Sequence, residues 1–169
     1  MTAFEAGAVL VAAGACATDL ARARIPNSLT VPGIVVGVLA QTVLPGGHGV
    51  VASLLGGLAG LGVFFPFFAL GGMGGGDVKL MAALGTWMGA PAILFVALYA
   101  ALAGGVIAVG VALAHNYLGE ALRNLRSLLR YWAVVGIRPD PALTLERGRG
   151  PRVPYALAIF AGLIVTLWR

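Results

Sequence analysis

Charged residues are scarce in this chain. Only 10% of its 169 residues are Asp, Glu, Lys or Arg, whereas 60% are hydrophobic. Soluble domains carry about 25% charged residues, and disorder requires low hydrophobicity, so both classes are excluded. The single cysteine, Cys16, also excludes a disulfide framework and a cysteine-ligated zinc site. The composition therefore predicts an integral membrane protein.

The few charges divide the chain into apolar segments. Residues 25–76 and 80–119 contain no formal charge, and each stretch is long enough for two membrane helices of roughly 20 residues. One more apolar segment precedes Asp19, and another opens at Val153. We expect an all-α bundle of six transmembrane helices, forming a single domain over residues 1–169. The predicted spans cover residues 3–19, 29–45, 49–70, 78–89, 91–114 and 153–168.

The fourth predicted span is short. As a helix, residues 78–89 would extend only about 18 Å, less than the ~30 Å hydrocarbon core of a bilayer. Either Pro91 kinks one longer helix, or this helix begins inside the membrane. We favour the second alternative, because a glycine-rich segment that lines a polar cavity is tolerated at membrane depth.

The basic residues predict the orientation. With the N-terminus outside, the inner loops at residues 20–28, 71–77 and 115–152, with their edges, hold ten of the eleven Lys and Arg residues. Cytoplasmic loops are enriched in these residues, so we expect this orientation in the inner membrane. The net charge of +5 then reflects topology, and we expect no nucleic-acid partner.

The long inner loop at residues 115–152 begins with a helical pattern. Apolar and basic side chains form two strips between Asn116 and Trp132: Leu118, Leu122, Leu125, Leu129 and Trp132, and Arg123, Arg126 and Arg130. This pattern predicts an amphipathic helix on an anionic inner leaflet; a solvated linker helix is the alternative. Residues 136–152 predict an irregular loop.

Two carboxylates, Asp19 and Asp77, lie where an apolar span meets an inner loop. An ionisable group near the bilayer is a functional hypothesis by default. Asp77 could instead cap the following helix. Asp19 would lie at the C-terminal end of the first helix, where the helix dipole disfavours a negative charge. An i,i+3 ion pair with Arg22 could compensate for this cost. If the two carboxylates meet, one keeps a proton and the other stays basic, which suits acid–base peptide hydrolysis.

The residues around both aspartates resemble the type IV prepilin leader peptidases, a family of membrane aspartic proteases. Gly74-Gly75-Gly76-Asp77 is similar to the family's Gly-x-Gly-Asp motif, and Val78-Lys79-Leu80 is similar to its continuation. Asp19, followed by Arg22, Arg24 and Ile25-Pro26-Asn27, resembles the block around the first aspartate. Val153-Pro154-Tyr155 resembles the opening of the C-terminal helix.

The resemblance implies an aspartic endopeptidase that cuts the short basic leader from type IV prepilins at the cytoplasmic membrane face. Its implied partners are single-span prepilins, the lipid bilayer and the pilus assembly machinery, and it implies neither a metal nor an organic cofactor. By matching positions, the catalytic pair would be Asp19 and Asp77. The catalytic loop would include Gly74 and Gly76, supported by Lys79. The turn that supports the site would be Arg24, Ile25, Pro26 and Asn27.

One departure from the family pattern concerns a second activity. Bifunctional members also methylate the new pilin N-terminus and carry an extra cytoplasmic domain with two cysteine pairs, whereas Cys16 is the single cysteine here. The chain resembles the compact Flp/Tad form, which implies proteolysis without methylation. The alternatives are an archaeal-type preflagellin peptidase, a small proton or cation transporter, and a non-catalytic pilus assembly subunit.

Overall fold

The described part of the chain is helical throughout. The computed structural model describes residues 1–138 and 153–168, and these residues contain no strand. The helices are α1 (Ala3–Arg22), α2 (Asn27–Val43), α3 (Gly49–Ala69), α4 (Gly75–Met88), α5 (Ala90–Ala114), α6 (Leu118–Val135) and α7 (Tyr155–Trp168). The all-α class predicted from the sequence is confirmed.

Each of the six predicted spans corresponds to one helix, and α6 matches the predicted amphipathic helix. The largest shifts are three residues: α1 ends at Arg22 rather than at Asp19, and α4 begins at Gly75 rather than at Val78. Gly89, with a φ of 78°, separates α4 from α5, so the alternative of one long helix kinked at Pro91 is wrong. The irregular loop predicted at residues 136–152 lies mostly outside the described residues.

Three helices, α1, α3 and α5, are long and apolar enough to cross a membrane. Two more apolar helices, α2 and α7, are shorter, with 17 and 14 residues. The outward faces of the long helices carry large apolar side chains such as Leu10, Leu58 and Leu102, each exposed by more than 60%. Such surfaces are favourable in a lipid environment, so the chain has the character of an integral membrane protein.

The short helix α4 lies at the centre of the bundle, in contact with α1, α2, α3, α5 and α7. Val78 and every residue from Leu80 to Trp87 are buried, whereas Lys79 near the beginning of the helix is exposed. A helix that is apolar on all sides is expected in an interior. The surrounding helices therefore hold α4, and with it the Asp77 that it carries, away from lipid.

Glycines allow α3 to approach α4 at backbone distance. A Cβ atom added at Gly56 would collide with the carbonyl oxygen of Gly85, and one added at Gly85 would collide with that of Gly56. One helical turn further along α3, a Cβ at Gly60 would collide with the Met81 carbonyl. Small residues at such positions are what close packing of membrane helices requires.

Polar side chains from neighbouring helices satisfy the C-terminal end of α4. Ser53 on α3 donates to the Thr86 carbonyl at 2.7 Å, and Gln41 on α2 donates to the Trp87 carbonyl at 2.6 Å. The last carbonyls of a helix have no partner within the helix, and a buried carbonyl without a partner is costly. These two bonds explain how so short a helix can end inside the bundle.

We predict that Gly56→Ala destabilises the protein. The new methyl group meets backbone rather than a flexible side chain, so we expect the free energy of unfolding to fall by about 1–3 kcal/mol. Gly62→Ala on the same helix is the matched control, because nothing lies within 4 Å of its Cβ position. Unfolding titrations in mixed detergent micelles measure the free energy of unfolding of the two variants. Equal stability of the two would contradict this packing.

Candidate active site

Asp77 lies in the first turn of α4, with its side chain half-buried. Gly74 is the N-cap residue of this helix, and the Asp77 backbone N–H donates to the Gly74 carbonyl at 3.2 Å. The N-cap role considered for Asp77 is therefore wrong, although the dipole of α4 still stabilises its carboxylate. The beginning of a buried helix thus carries a carboxyl group at the edge of the core.

Asp19 is half-buried in the last turn of α1, where that helix's own dipole disfavours a carboxylate. Its Oδ2 accepts a hydrogen bond from the backbone N–H of Ala156 at 3.3 Å. Ala156 is the second residue of α7, so the positive end of α7 faces the carboxylate. The alternative pair with Arg22 does not form, because the one ion pair in the described part of the chain joins the Met1 amine to Glu5.

The structure brings the two carboxylates close enough for the charge of Asp19 to act on Asp77. Neither forms an ion pair with a described cation. The positive end of α4 lies beside Asp77, and the positive end of α7 faces Asp19. Two carboxylates in such proximity do not both ionise easily, and one of them tends to retain a proton. The arrangement can therefore supply a base and an acid at one place.

The glycine-rich segment between α3 and α4 makes close contacts. Gly71 has a φ of 76° and ends α3 in a Schellman motif, with Gly72 donating to the Phe67 carbonyl at 2.9 Å. A Cβ at Gly74 would lie 3.0 Å from Asp77 Oδ2, and one at Gly76 would lie 3.0 Å from the Cβ of Ile25. The glycines therefore leave room for the carboxylate and for the neighbouring turn.

The turn between α1 and α2 packs on the beginning of α4. Pro26 is the N-cap residue of α2, and Asn27 accepts a hydrogen bond from Lys79 Nζ through its Oδ1 at 2.9 Å. Together with the contact of Ile25 and Gly76, this bond fixes the turn against α4. Arg24 differs, since it is exposed and makes no hydrogen bond or ion pair with a described residue.

The N-terminus of α7 is the part of the site that sequence reasoning missed. Tyr155, its first residue, lies next to the Ala156 N–H that binds Asp19. The available signal was the Val153-Pro154-Tyr155 block, which predicted only the beginning of a helix. Ala156 is 137 positions from Asp19 in the sequence, so no local pattern could predict the hydrogen bond between them.

Metal-binding clusters are not found in the part of the chain that the structure describes. No group of three or more His, Cys, Asp or Glu residues there could hold a metal ion.

Comparison with known proteins identifies relatives of this chain. A "Prepilin leader peptidase/N-methyltransferase" of Aeromonas salmonicida (strain A449) is 34% identical over 105 residues, which cover 59% of this chain and 36% of the relative. The protein of the same name from Burkholderia pseudomallei (strain 1026b) is 37% identical over 119 residues, covering 60% of this chain and 37% of the relative. The chain thus matches little more than a third of the length of these relatives. No solved structure is significantly similar to it.

A family comparison covers more than half of the chain. Residues 6–109 match the type IV leader peptidase family. This range includes both aspartates, the α1–α2 turn and the glycine-rich segment. The chain therefore belongs to the type IV leader peptidase family.

Proposed function

We propose that this protein is an aspartic endopeptidase that removes leader peptides from type IV prepilins, with Asp19 and Asp77 as its catalytic residues. One observation carries the proposal: two half-buried carboxylates without a cationic partner in the described chain lie at the ends of two helices that pack against each other, Asp19 in the last turn of α1 and Asp77 in the first turn of α4. In a member of a leader peptidase family, such a pair supplies the groups that peptide hydrolysis requires.

The proposed chemistry uses the two carboxyl groups in different protonation states. The ionised carboxylate accepts a proton from a water molecule, and the oxygen of that water attacks the scissile carbonyl carbon. The protonated carboxyl group then gives a proton to the leaving nitrogen as the C–N bond breaks. Which aspartate begins in which state is a property of the pair, because their titrations are coupled.

The proposed substrate is a single-span prepilin of the Flp/Tad type with a short basic leader. Positive charge in the leader would hold the cleavage site on the cytoplasmic side of the membrane. Two contacts that fix the α1–α2 turn beside Asp77 support the proposal. One is the hydrogen bond from Lys79 to Asn27, and the other is the packing of Ile25 on Gly76. Gly74 leaves the Asp77 carboxylate free of a neighbouring side chain.

We expect Asp19→Asn and Asp77→Asn each to lower the rate of leader cleavage by about 100-fold or more, since each change removes one acid–base group. The amide keeps the shape of the side chain, so membrane levels should stay unchanged. The measurement is the shift in prepilin size on co-expression with a Flp-type prepilin. Glu120→Gln on the exposed face of α6 is the matched control and should cleave normally.

Other outcomes of this assay separate the alternatives. If both asparagine variants cleave normally, the catalytic pair is misassigned. If the wild-type protein cleaves none of several prepilins, or a preflagellin, the peptidase proposal fails. Asparagine variants that abolish proton or cation flux would then support a transporter, whereas variants that leave pilus assembly intact would support a non-catalytic assembly subunit.

We also propose that these residues cleave prepilins without methylating them. With one cysteine, the chain cannot supply the two cysteine pairs associated with the extra domain of bifunctional members. The relatives named above carry methyltransferase in their names, and this chain matches only part of each. We expect pilin cleaved by this protein alone to have an unmodified N-terminal amine. Intact-mass spectrometry showing a gain of one methyl group would contradict this expectation.

The proposed topology is six membrane spans with an outside N-terminus. Arg22, Arg24 and Lys79 lie at the end of the bundle where α1 ends and α2 and α4 begin, and positive charge favours the cytoplasm. The helix α6 contacts only α5 among the described helices, and its Leu122 and Leu125 are more than half exposed. This uncovered apolar face fits an inner-leaflet position better than a solvated one.

Single cysteines in a Cys16→Ala background test the topology. A membrane-impermeant maleimide should label His48→Cys in intact spheroplasts, but should label Ser28→Cys and Ser127→Cys only after permeabilisation. All three positions are exposed, so accessibility from each side decides the result. The reverse labelling pattern would overturn the proposed orientation.

A further inference from the structure

Tyr155 lies at the junction of the two aspartates although the proposed chemistry does not use it. It is the first residue of α7, half-buried, and its neighbour Ala156 donates to Asp19 Oδ2. Its phenol group is close enough to Asp77 for that carboxylate to act on it electrostatically. A single side chain is therefore adjacent to the groups around both carboxylates.

The ring of Tyr155 is held from two sides. The Phe64 ring on α3 meets it edge-on, with ring centroids 5.9 Å apart. On α5, Gly104 lies directly beneath the ring, since a Cβ atom there would come within 2.6 Å of Tyr155 Cε2 and 3.2 Å of the hydroxyl. Contacts with two other helices thus fix the position of this side chain before any substrate arrives.

The hydroxyl group of Tyr155 is available as a donor. It makes no hydrogen bond to another residue of the described chain, whereas the side-chain hydroxyls of Ser53 and Thr86, at the other end of α4, are both bonded to carbonyl oxygens. A phenol donates one hydrogen bond and keeps its proton at neutral pH. A fixed donor beside the acid–base groups is suited to an oxygen that gains negative charge during the reaction.

We propose that the Tyr155 hydroxyl donates a hydrogen bond to the carbonyl oxygen of the scissile peptide and stabilises the negative charge that develops there. This inference rests on the proposed peptidase function. Water adds to the carbonyl carbon, its proton passes to the ionised aspartate, and the leaving nitrogen takes a proton from the protonated one. Tyr155 exchanges no proton in these steps, so the hydrolysis stays balanced without it.

Electrostatics favour this role. An ionised carboxylate repels an oxygen that is becoming negative, so a further donor that faces this oxygen, beside the protonated carboxyl group, lowers the energy of the transition state. Lys79 is a nearby cation, but its ammonium group is exposed and already bound to Asn27. The Tyr155 hydroxyl is the better placed donor, because Phe64 and Gly104 hold its half-buried ring in position, and a preorganised donor stabilises charge more than a mobile, solvent-exposed one.

Tyr155→Phe tests the proposal, because it removes the hydroxyl and keeps the ring on Gly104 and against Phe64. Loss of one oxyanion donor typically lowers kcat by 100-fold or more; we expect a fall of about 100-fold with KM unchanged within about twofold. The measurement is steady-state cleavage of a purified prepilin by the full chain in nanodiscs. Tyr99→Phe, a half-buried tyrosine on α5, is the matched control and should keep wild-type kcat.

A second pair of variants tests the position of the ring. Gly104→Ala pushes the ring from its place and should lower kcat, whereas Gly105→Ala, with open space at its Cβ position, should not. If Gly104 affects kcat only because it positions the Tyr155 hydroxyl, the double variant Gly104→Ala, Tyr155→Phe should be no slower than Tyr155→Phe alone. Additive losses would indicate that Gly104 supports only packing.

The results distinguish this inference from the proposed function. Asp19→Asn and Asp77→Asn in the same assay decide whether the aspartic mechanism holds. If they abolish cleavage while Tyr155→Phe keeps kcat within twofold of wild type, the function stands and the role of Tyr155 is overturned. A higher KM at unchanged kcat would also overturn it, because that pattern indicates ground-state binding. If the asparagine variants cleave normally, both proposals fail together.

Discussion

The enclosure of α4 by five other helices is the constraint on which the rest of the structure depends. A 14-residue helix spans about 21 Å, too little to present both ends to water across a bilayer, so its backbone ends must find partners within the bundle. Ser53 and Gln41 supply these partners at one end. At the other end, the helix begins with glycines and Asp77, so the same enclosure places a carboxylate at the edge of the core.

The positive ends of helices take the place of cations in this site. Asp77 lies in the first turn of α4 and Asp19 faces the first turn of α7, so two dipoles converge on two carboxylates. A dipole stabilises a charge without delivering a fixed counter-ion, whereas a lysine or arginine paired at short range would hold a carboxylate ionised. Among the described residues, helix ends rather than paired cations therefore face the two carboxylates.

Sequence patterns predicted the parts of this structure that depend on local chemistry. The long charge-free stretches predicted the helices, because a helix that crosses a bilayer needs a long run of apolar residues. The glycines before Asp77 predicted the loop between α3 and α4. Pairing of Asp19 with Arg22 was a local inference too, and it was wrong because a distant N–H from Ala156 faces that carboxylate. The place of Tyr155 depends on Gly104 and Phe64 in other helices, so no window of sequence reports it.

The cost of the carboxylate pair argues for chemistry rather than for packing. Two carboxyl groups at the edge of a core destabilise the fold, whether one or both are ionised, and no cation in the described chain forms an ion pair with either. Well-packed apolar groups in the same places would generally be neutral or stabilising. Gly75 and Gly76 in the first turn of α4 add to the cost, because glycine has a low helix propensity. Features that weaken a fold at one place are typical of functional sites, where activity requires groups that stability alone would not retain.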